Sequence, residues 1–388
     1  MFKLKLLIIS LIFSSCTPKE IEEKSRVSVD LSESEKTSIS QYVDSFEYIL
    51  INYSDSLPIV EPYRIEFYKE LIFIEDGGLN NLFIVEKSGE IITVIKSKGS
   101  GPGEFQYIDD FQVSENKIII KDTQLNKFMT YDFNGNILKE EFAKNKALNF
   151  YKTGEYLLHF FNNRLNPGEF NFLRESLIGE KDEFYYLAKS GYEYKKVMSL
   201  ENSFMKDFYD SQLILHIPFS YDIAFFNLDG RIKEIKTFDF GKNSLNDAER
   251  LNYSNGSFVD NRNNQDSEFV ESVNQFFPLK NRYFMFLTNG IKEKHLIIFD
   301  RNFKIKNQHD IIENDIDGMP ISNFPRWNTK NQLIQKRLSS FLLDDYLKNE
   351  KEIRSNFPNS KIHEFIAKNR YKLERDWLVL VFWNMKDS

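Results

Sequence analysis

The chain has 388 residues, a net charge of −7, 41% hydrophobic residues and 15% aromatic ones, which is ample material for a sizeable core. Its lysines and arginines are scattered through acidic sequence and form no basic stripe, which argues against a nucleic-acid partner. Cys16 is the only cysteine, so an exported domain of this chain has no disulfides and no thiol chemistry beyond that position.

The chain opens MFKLKLLIISLIFSSC, with Lys3 and Lys5 before an apolar run from Leu6 to Phe13. That run is far shorter than the ~20 apolar residues that cross a bilayer, and with Ser14 and Ser15 behind it residues 1–15 read as a secretory signal peptide. Ser14-Ser15-Cys16 resembles the lipobox of bacterial lipoproteins, with Phe13 where leucine is usual. The resemblance implies that Cys16 becomes the lipidated first residue of the mature protein, its acyl chains the sole membrane anchor. At about 0.8 kcal/mol per buried CH₂, two or more chains hold stably where one does not. Residues 16–40 are polar and charged with no hydrophobic period, the composition of a flexible linker. Glu20, Glu22 and Glu23 resemble the acidic signal behind the lipidated cysteine of lipoproteins displayed on the outer membrane.

From residue 41 a unit recurs: a short apolar strand, a gap, a second strand, a Gly or Asn turn and a third strand. Copies are ELIFIEDGGLNNLFIVEKSGEIITVI, NKIIIKDTQLNKFMTYDFNGNILKEE, EYLLHFF with FYYLAKSGYEYKKVM, QLILHIPFSYDIAFFNLDGRIKEIKTFDF and RYFMFLTNGIKEKHLIIFDRNFKIKNQ. Their hairpin turns fall at Gly89, Gly135, Gly191, Gly230 and Asn302, residue types that tolerate the left-handed conformation a tight hairpin needs. The turns are 46, 56, 39 and 72 residues apart, close to the ~40–50 residues of a four-stranded propeller blade, except where residues of about 243–275 insert an Asn- and Ser-rich loop. A second insertion, about 339–374, has apolar residues at helical spacing, such as Ile362, Phe365 and Ile366, and predicts two short helices broken at Pro358. The chain ends in WLVLVFWNMK, a strand expected to pair with Val43–Asn52 and so close the ring. The expectation is an all-β, six-bladed propeller over residues 41–388, closed by its N- and C-terminal strands, with a short helical insertion near the C-terminus.

The stretch GSGPGEF, residues 99–105, has the glycine density of a phosphate loop. It lacks the Lys-Ser/Thr pair of a P-loop and is followed by strands, whereas phosphate loops open a helix. Its glycines fit a crossing between blades. KGSGPGEFQYIDDFQVSENKIIIKD resembles an NHL-type propeller repeat. Together with Cys16, YVDSFEYILI, NDIDGMP and the closing strand, it resembles the six-bladed β-propeller lipoproteins of Bacteroidota. That resemblance implies fold and envelope location and no settled activity.

Candidate chemistry is sparse. His159 and His216 occupy equivalent places on second strands of successive blades, but two imidazoles leave a metal shell incomplete, so neither a metal nor a cofactor is expected. Asp109 with Asp110 and Asp344 with Asp345 read as caps of backbone N–H groups in a turn and at a helix start. Asp315 with Asp317, in NDIDG, lacks the glycine and distal glutamate of a calcium loop. No G-x-S-x-G elbow is present. In ISNFPRWN, Phe324 and Trp327 are the candidate binding residues, a loop platform for a sugar or a peptide. The expected function is that of a lipid-anchored outer-membrane protein, on its periplasmic or cell-surface face, whose propeller binds a protein, peptide or glycan without catalysis. It touches membrane through the lipid alone and binds no nucleic acid. The alternative is a propeller hydrolase or lyase with a site at the mouth of the central channel.

Overall fold

In the computed structural model, the structure describes residues 24–387 except 97, 163–169, 188–203, 218–219, 255–268, 271–272, 274 and 290–292. Cys16, residues 1–15 and the turn at Gly191 lie outside the described residues. Six antiparallel sheets form the blades, with inner strands Pro62–Tyr68, Asp110–Ser114, Asn149–Thr153, Met205–Asp207, Gln275–Leu279 and Trp327–Asn328 in blades 1 to 6. Blade 6 is closed as expected. Its third strand, Leu378–Met385, pairs antiparallel with β3 (Val43–Leu50), in a register running from Val379 opposite Leu50 to Met385 opposite Val43. Across the same seam, Lys336 Nζ donates to the Pro62 carbonyl at 2.9 Å, joining blade 6 to blade 1.

Residues 24–40 are not linker, which corrects the boundary expected at residue 41. β1 (Lys24–Ser28) adds in parallel to the outer strand of blade 4, Ile232–Asp239. β2 (Glu35–Ser38) adds in parallel to the outer strand of blade 5, Ile305–Glu313. An added edge strand buries only alternate side chains. Val27, Val29, Leu31, Thr37 and Ile39 are the buried ones, a period-2 signal submerged in charged sequence. The first described segment therefore steps along the outer edges of blades 4, 5 and 6 in turn and pairs each of them.

Blade hairpins share one turn. The fourth residue's N–H donates to the first residue's carbonyl at Gly89, Gly135 and Gly230, and these glycines have φ of 89°, 82° and 83°. In blade 5 the left-handed residue is Phe303, with φ 62°, and not the expected Asn302. The conformation costs about 1–2 kcal/mol for a residue with a Cβ. It places the ring 5.0 Å from Tyr283 and 5.4 Å from Phe225, within the aromatic packing between blades 4 and 5, where burial outweighs the strain. GSGPGEF crosses from blade 1 to blade 2. Glu104 turns back, and its Oε2 accepts the Gly101 N–H at 2.8 Å. The loop thus carries its own anion where a phosphate loop would hold one.

The helices Ser339–Asn356 and Lys361–Leu373 bury Leu342, Leu343, Tyr346, Ile353, Ile362, Ile366 and Leu373. These join the core shared by blades 5 and 6. Part of the expected loop insertion is the helix Asp247–Ser254.

Large apolar clusters fill the blade 1–2, 3–4, 4–5, 5–6 and 6–1 interfaces. Between blades 2 and 3 the apolar contacts among the described residues are fewer: Ala147, Phe161 and Leu173 cluster, and Phe128 meets Phe150 at 5.0 Å. Polar groups join them. Lys121, with no exposed surface, donates through Nζ to Asn145 Oδ1 at 3.3 Å and lies 5.2 Å from the Phe128 ring centroid. Beside it His159 Nε2 bonds Glu175 Oε2 at 2.9 Å, and Lys144 reaches Glu175 Oε1 at 2.5 Å. Burial pushes the Lys121 ammonium down to about 7 and His159 down to about 4, whereas the His159 hydrogen bond holds Glu175 down at about 2.

Candidate functional site: the central channel

The six inner strands enclose a channel with a cavity of about 520 Å³, within the roughly 300–1,000 Å³ of ligand pockets. The inner strands of blades 1, 2 and 3 are also tied sideways by side chains, since neighbouring blades share no sheet hydrogen bonds. Glu66 Oε2 of blade 1 accepts the Val113 N–H of blade 2 at 2.9 Å. Asp110 Oδ2 of blade 2 accepts the Phe150 N–H of blade 3 at 2.8 Å. Gln112 accepts the Lys152 N–H at 2.7 Å and donates to the Lys152 carbonyl at 3.0 Å.

Arg64 sits at the centre of this lattice. Its guanidinium pairs with Glu66 and with Asp110 and lies over the Phe111 ring, 4.8 Å from the centroid. Burial lifts the Glu66 carboxyl above the usual range, against the pull of Arg64. Glu75, opposite Arg64 on the second strand of blade 1, is pushed up to about 8 by burial, again opposed by Arg64 and reinforced by Asp109 and Asp76. Glu66, the one carboxylate of the lining, and the buried Asp110 are thus both held in ion pairs and backbone hydrogen bonds.

The rest of the lining is aromatic, amide and cationic. Tyr68, Tyr151, Phe204, Phe208 and Trp327 supply rings, Gln275 and Asn328 amides, and Lys69, Lys206 and Arg326 charge. Phe324 and Trp327 do not form an exposed platform, because both are buried, at 6% and 8% exposure. Phe324 packs 4.7 Å from Phe286 in the core. Trp327 begins the inner strand of blade 6 and lines the channel. The expected pairs of carboxylates are structural. Asp109 accepts Thr123 N–H and Oγ–H, both at 2.7 Å, Asp315 accepts Ser40 N–H at 3.0 Å and Asp317 accepts Tyr48 O–H at 2.5 Å. Asp344 and Asp345 do not cap a helix start as expected, because the helix begins at Ser339 and they lie in its second turn, where Asp345 pairs with Arg337 at 2.6 Å. His159 and His216 part company, the first in the blade 2–3 interface and the second on the channel wall. Among the described residues no three His, Cys, Asp or Glu side chains gather as metal ligands, and no helix is long and apolar enough to cross a membrane.

The cationic lining residues Arg64, Lys69, Lys206 and Arg326 were missed from the sequence. The signal for them was positional, since each lies on or next to the first strand of its blade, the strand that faces the axis.

Comparison with solved structures gives the same architecture. A protein named as exported from Bacteroides fragilis NCTC 9343 superposes with a TM-score of 0.70 at 17% identity, covering 93% of this chain and 100% of that one. A DUF4221 family member from Bacteroides vulgatus superposes with a TM-score of 0.51 at 11% identity, covering 89% and 97%. At such identities the likeness concerns fold alone. No curated protein matches the sequence. The DUF5128 family model, described as a 6-bladed beta-propeller, matches residues 17–336, and the chain belongs to that family.

Proposed function

We propose that this propeller is a lipid-anchored envelope protein that binds a protein, peptide or glycan partner at its channel without chemistry of its own. The observation that carries the reading is the state of the channel's acids. Glu66 and Asp110 are committed to Arg64 and to the backbone of neighbouring blades. A general acid or base needs a carboxyl within hydrogen-bond reach of a substrate, and a nucleophile needs an adjacent base. What the wall offers instead is rings and hydrogen-bond donors, the equipment of recognition. Export agrees with the leader-like residues 1–15 and the lipobox-like Cys16.

Cross-linking in intact cells of a tagged chain retaining Cys16, followed by mass spectrometry, should recover one partner in comparable amount and place the protein in the outer-membrane fraction. The Cys16→Ser variant should leave that fraction. Turnover of glycans, peptides or lactones by the purified protein would sink the reading.

A further inference from the structure

The channel is positively charged inside an acidic protein. Its lining holds Arg64, Lys69, Lys206 and Arg326 against the single carboxylate of Glu66, although the chain as a whole carries −7. Glu66 is spent on Arg64 and on the Val113 N–H, and Lys69 and Lys206 bring further positive charge to the lining. A low-dielectric cleft lined by one sign of charge concentrates ligands of the opposite sign.

Two of these cations are built alike. In a six-bladed ring blades 1 and 4 stand opposite each other, and their inner strands end at the same mouth. Blade 1 ends in Tyr68 and Lys69, with the ammonium 5.4 Å from the Tyr68 ring centroid. Blade 4 ends at Asp207, and Lys206 lies 5.7 Å from the ring centroid of Phe208 just beyond. Asp207 does not cancel this charge, because it is fully buried and paired with Arg301 at 2.5 Å. Lys69 donates to Asn116 at 2.9 Å, which steadies it at the rim. Phe208 is 42% exposed. One mouth of the channel therefore presents a lysine beside an aromatic ring from each of two opposed sides.

We infer that this mouth binds an anionic oligosaccharide, its acid groups paired with Lys69 and Lys206 and its ring faces laid on Tyr68 and Phe208. This rests on the binding reading given above. Acid groups on a sugar pair with ammonium groups, and the apolar face of a sugar ring covers an aromatic one. The wall also decides between a sugar and an acidic peptide. Its charged side chains are cations apart from one engaged acid, and its amides and hydroxyls both donate and accept, which suits the mixed acid and hydroxyl groups of a sugar. A peptide brings an N–H at every residue that needs an acceptor when buried.

The test is calorimetric titration of the purified full-length chain with an oligogalacturonate, a sulfated oligosaccharide, a neutral oligosaccharide of equal length and a poly-glutamate peptide. Binding of an oligogalacturonate, a sulfated sugar or both, at least tenfold tighter than the neutral one and weakened by salt, supports the inference, and the two anionic arms separate carboxylate from sulfate recognition. The double variant Lys69→Met/Lys206→Met should bind about tenfold more weakly or worse, the scale of a lost charged hydrogen-bond partner. Phe208→Ala should weaken binding with its melting temperature unchanged. Equal affinity for the neutral sugar, binding of the peptide alone, or no binding by any probe would overturn it. Sugar products released during titration would instead refute the non-catalytic reading while leaving the anion preference standing.

Discussion

Replacing Lys121 by methionine should stabilise the protein at neutral pH, by an amount that fades as the pH rises. Lys121 is fully buried in the blade 2–3 interface, and burial lowers its ammonium from 10.5 to about 7. Folding therefore depresses its pKa, and between about pH 7 and 10.5 the unfolded chain holds a proton that the folded one has lost. Stability from this group rises with pH across that window, by about 1.4 kcal/mol per pH unit. At or below pH 7 the whole penalty, about 5 kcal/mol, is present. Methionine removes it and also removes the hydrogen bond to Asn145 and the contact with Phe128, worth about 2 kcal/mol together. The variant should be about 3 kcal/mol more stable than the parent at pH 7 and about equal to it at pH 9. His159 and Glu175, at about 4 and about 2, titrate below this range and do not disturb it. Urea unfolding followed by tryptophan fluorescence at pH 7, 8 and 9, on both proteins, measures the difference directly. A stability difference that stays constant over those two pH units would show that Lys121 titrates as a solvated lysine, and the reasoning would fail.

Glu75→Gln should show the mirrored dependence. The folded carboxyl is raised to about 8, so the parent loses stability as the pH climbs from 4.5 to 8, and in urea unfolding the variant should gain about 4 kcal/mol on it between pH 5 and pH 8. Gly89→Ala should cost at least about 2 kcal/mol, because its φ of 89° disfavours a Cβ and that Cβ would run into the Leu50 carbonyl oxygen. Gly154→Ala, with φ 54° and nothing within 4 Å of the new Cβ, should lose only about 1 kcal/mol; equal losses would mean that contact with β3 is immaterial. Deleting residues 24–38 should bare the edges of blades 4 and 5 and give species larger than the parent's on size-exclusion chromatography, and a deletion variant that elutes as the parent does with an unchanged melting temperature would refute the role given to β1 and β2.

The ring closure was legible because both partners are long and strongly apolar. Leu378–Trp383 and Val43–Leu50 cannot be anything but strands, and their pairing is the observed one. The blade hairpins were legible through Gly89, Gly135 and Gly230, since a left-handed turn residue is nearly always glycine. Phe303 defeated the same rule, because its reward lies in rings from blade 4 that no local window contains. β1 and β2 were hidden because an edge strand with one buried face needs few apolar residues. Val27, Val29 and Leu31 were outvoted by the charges between them. The site was hidden for a different reason. Trp327 sits after Pro325 in a polar stretch that reads as an exposed loop, yet it is an inner strand of two residues, and strand length carries no periodicity at that size. Arg64, Lys206 and Arg326 converge only when six blades separated by hundreds of residues close into a circle.

The order in which the chain is made bears on how this molecule matures. β1, β2 and β3 are synthesised early, yet their partners Ile232–Asp239, Ile305–Glu313 and Leu378–Met385 each come more than 200 residues later. Contacts this distant in sequence form slowly, and none of the three can form until most of the polypeptide exists. On the envelope reading proposed above such a delay is useful, since a chain that crosses a membrane unfolded must not close its ring before it arrives. A truncated product could complete no ring and would keep its sticky edges uncovered, which marks it for destruction.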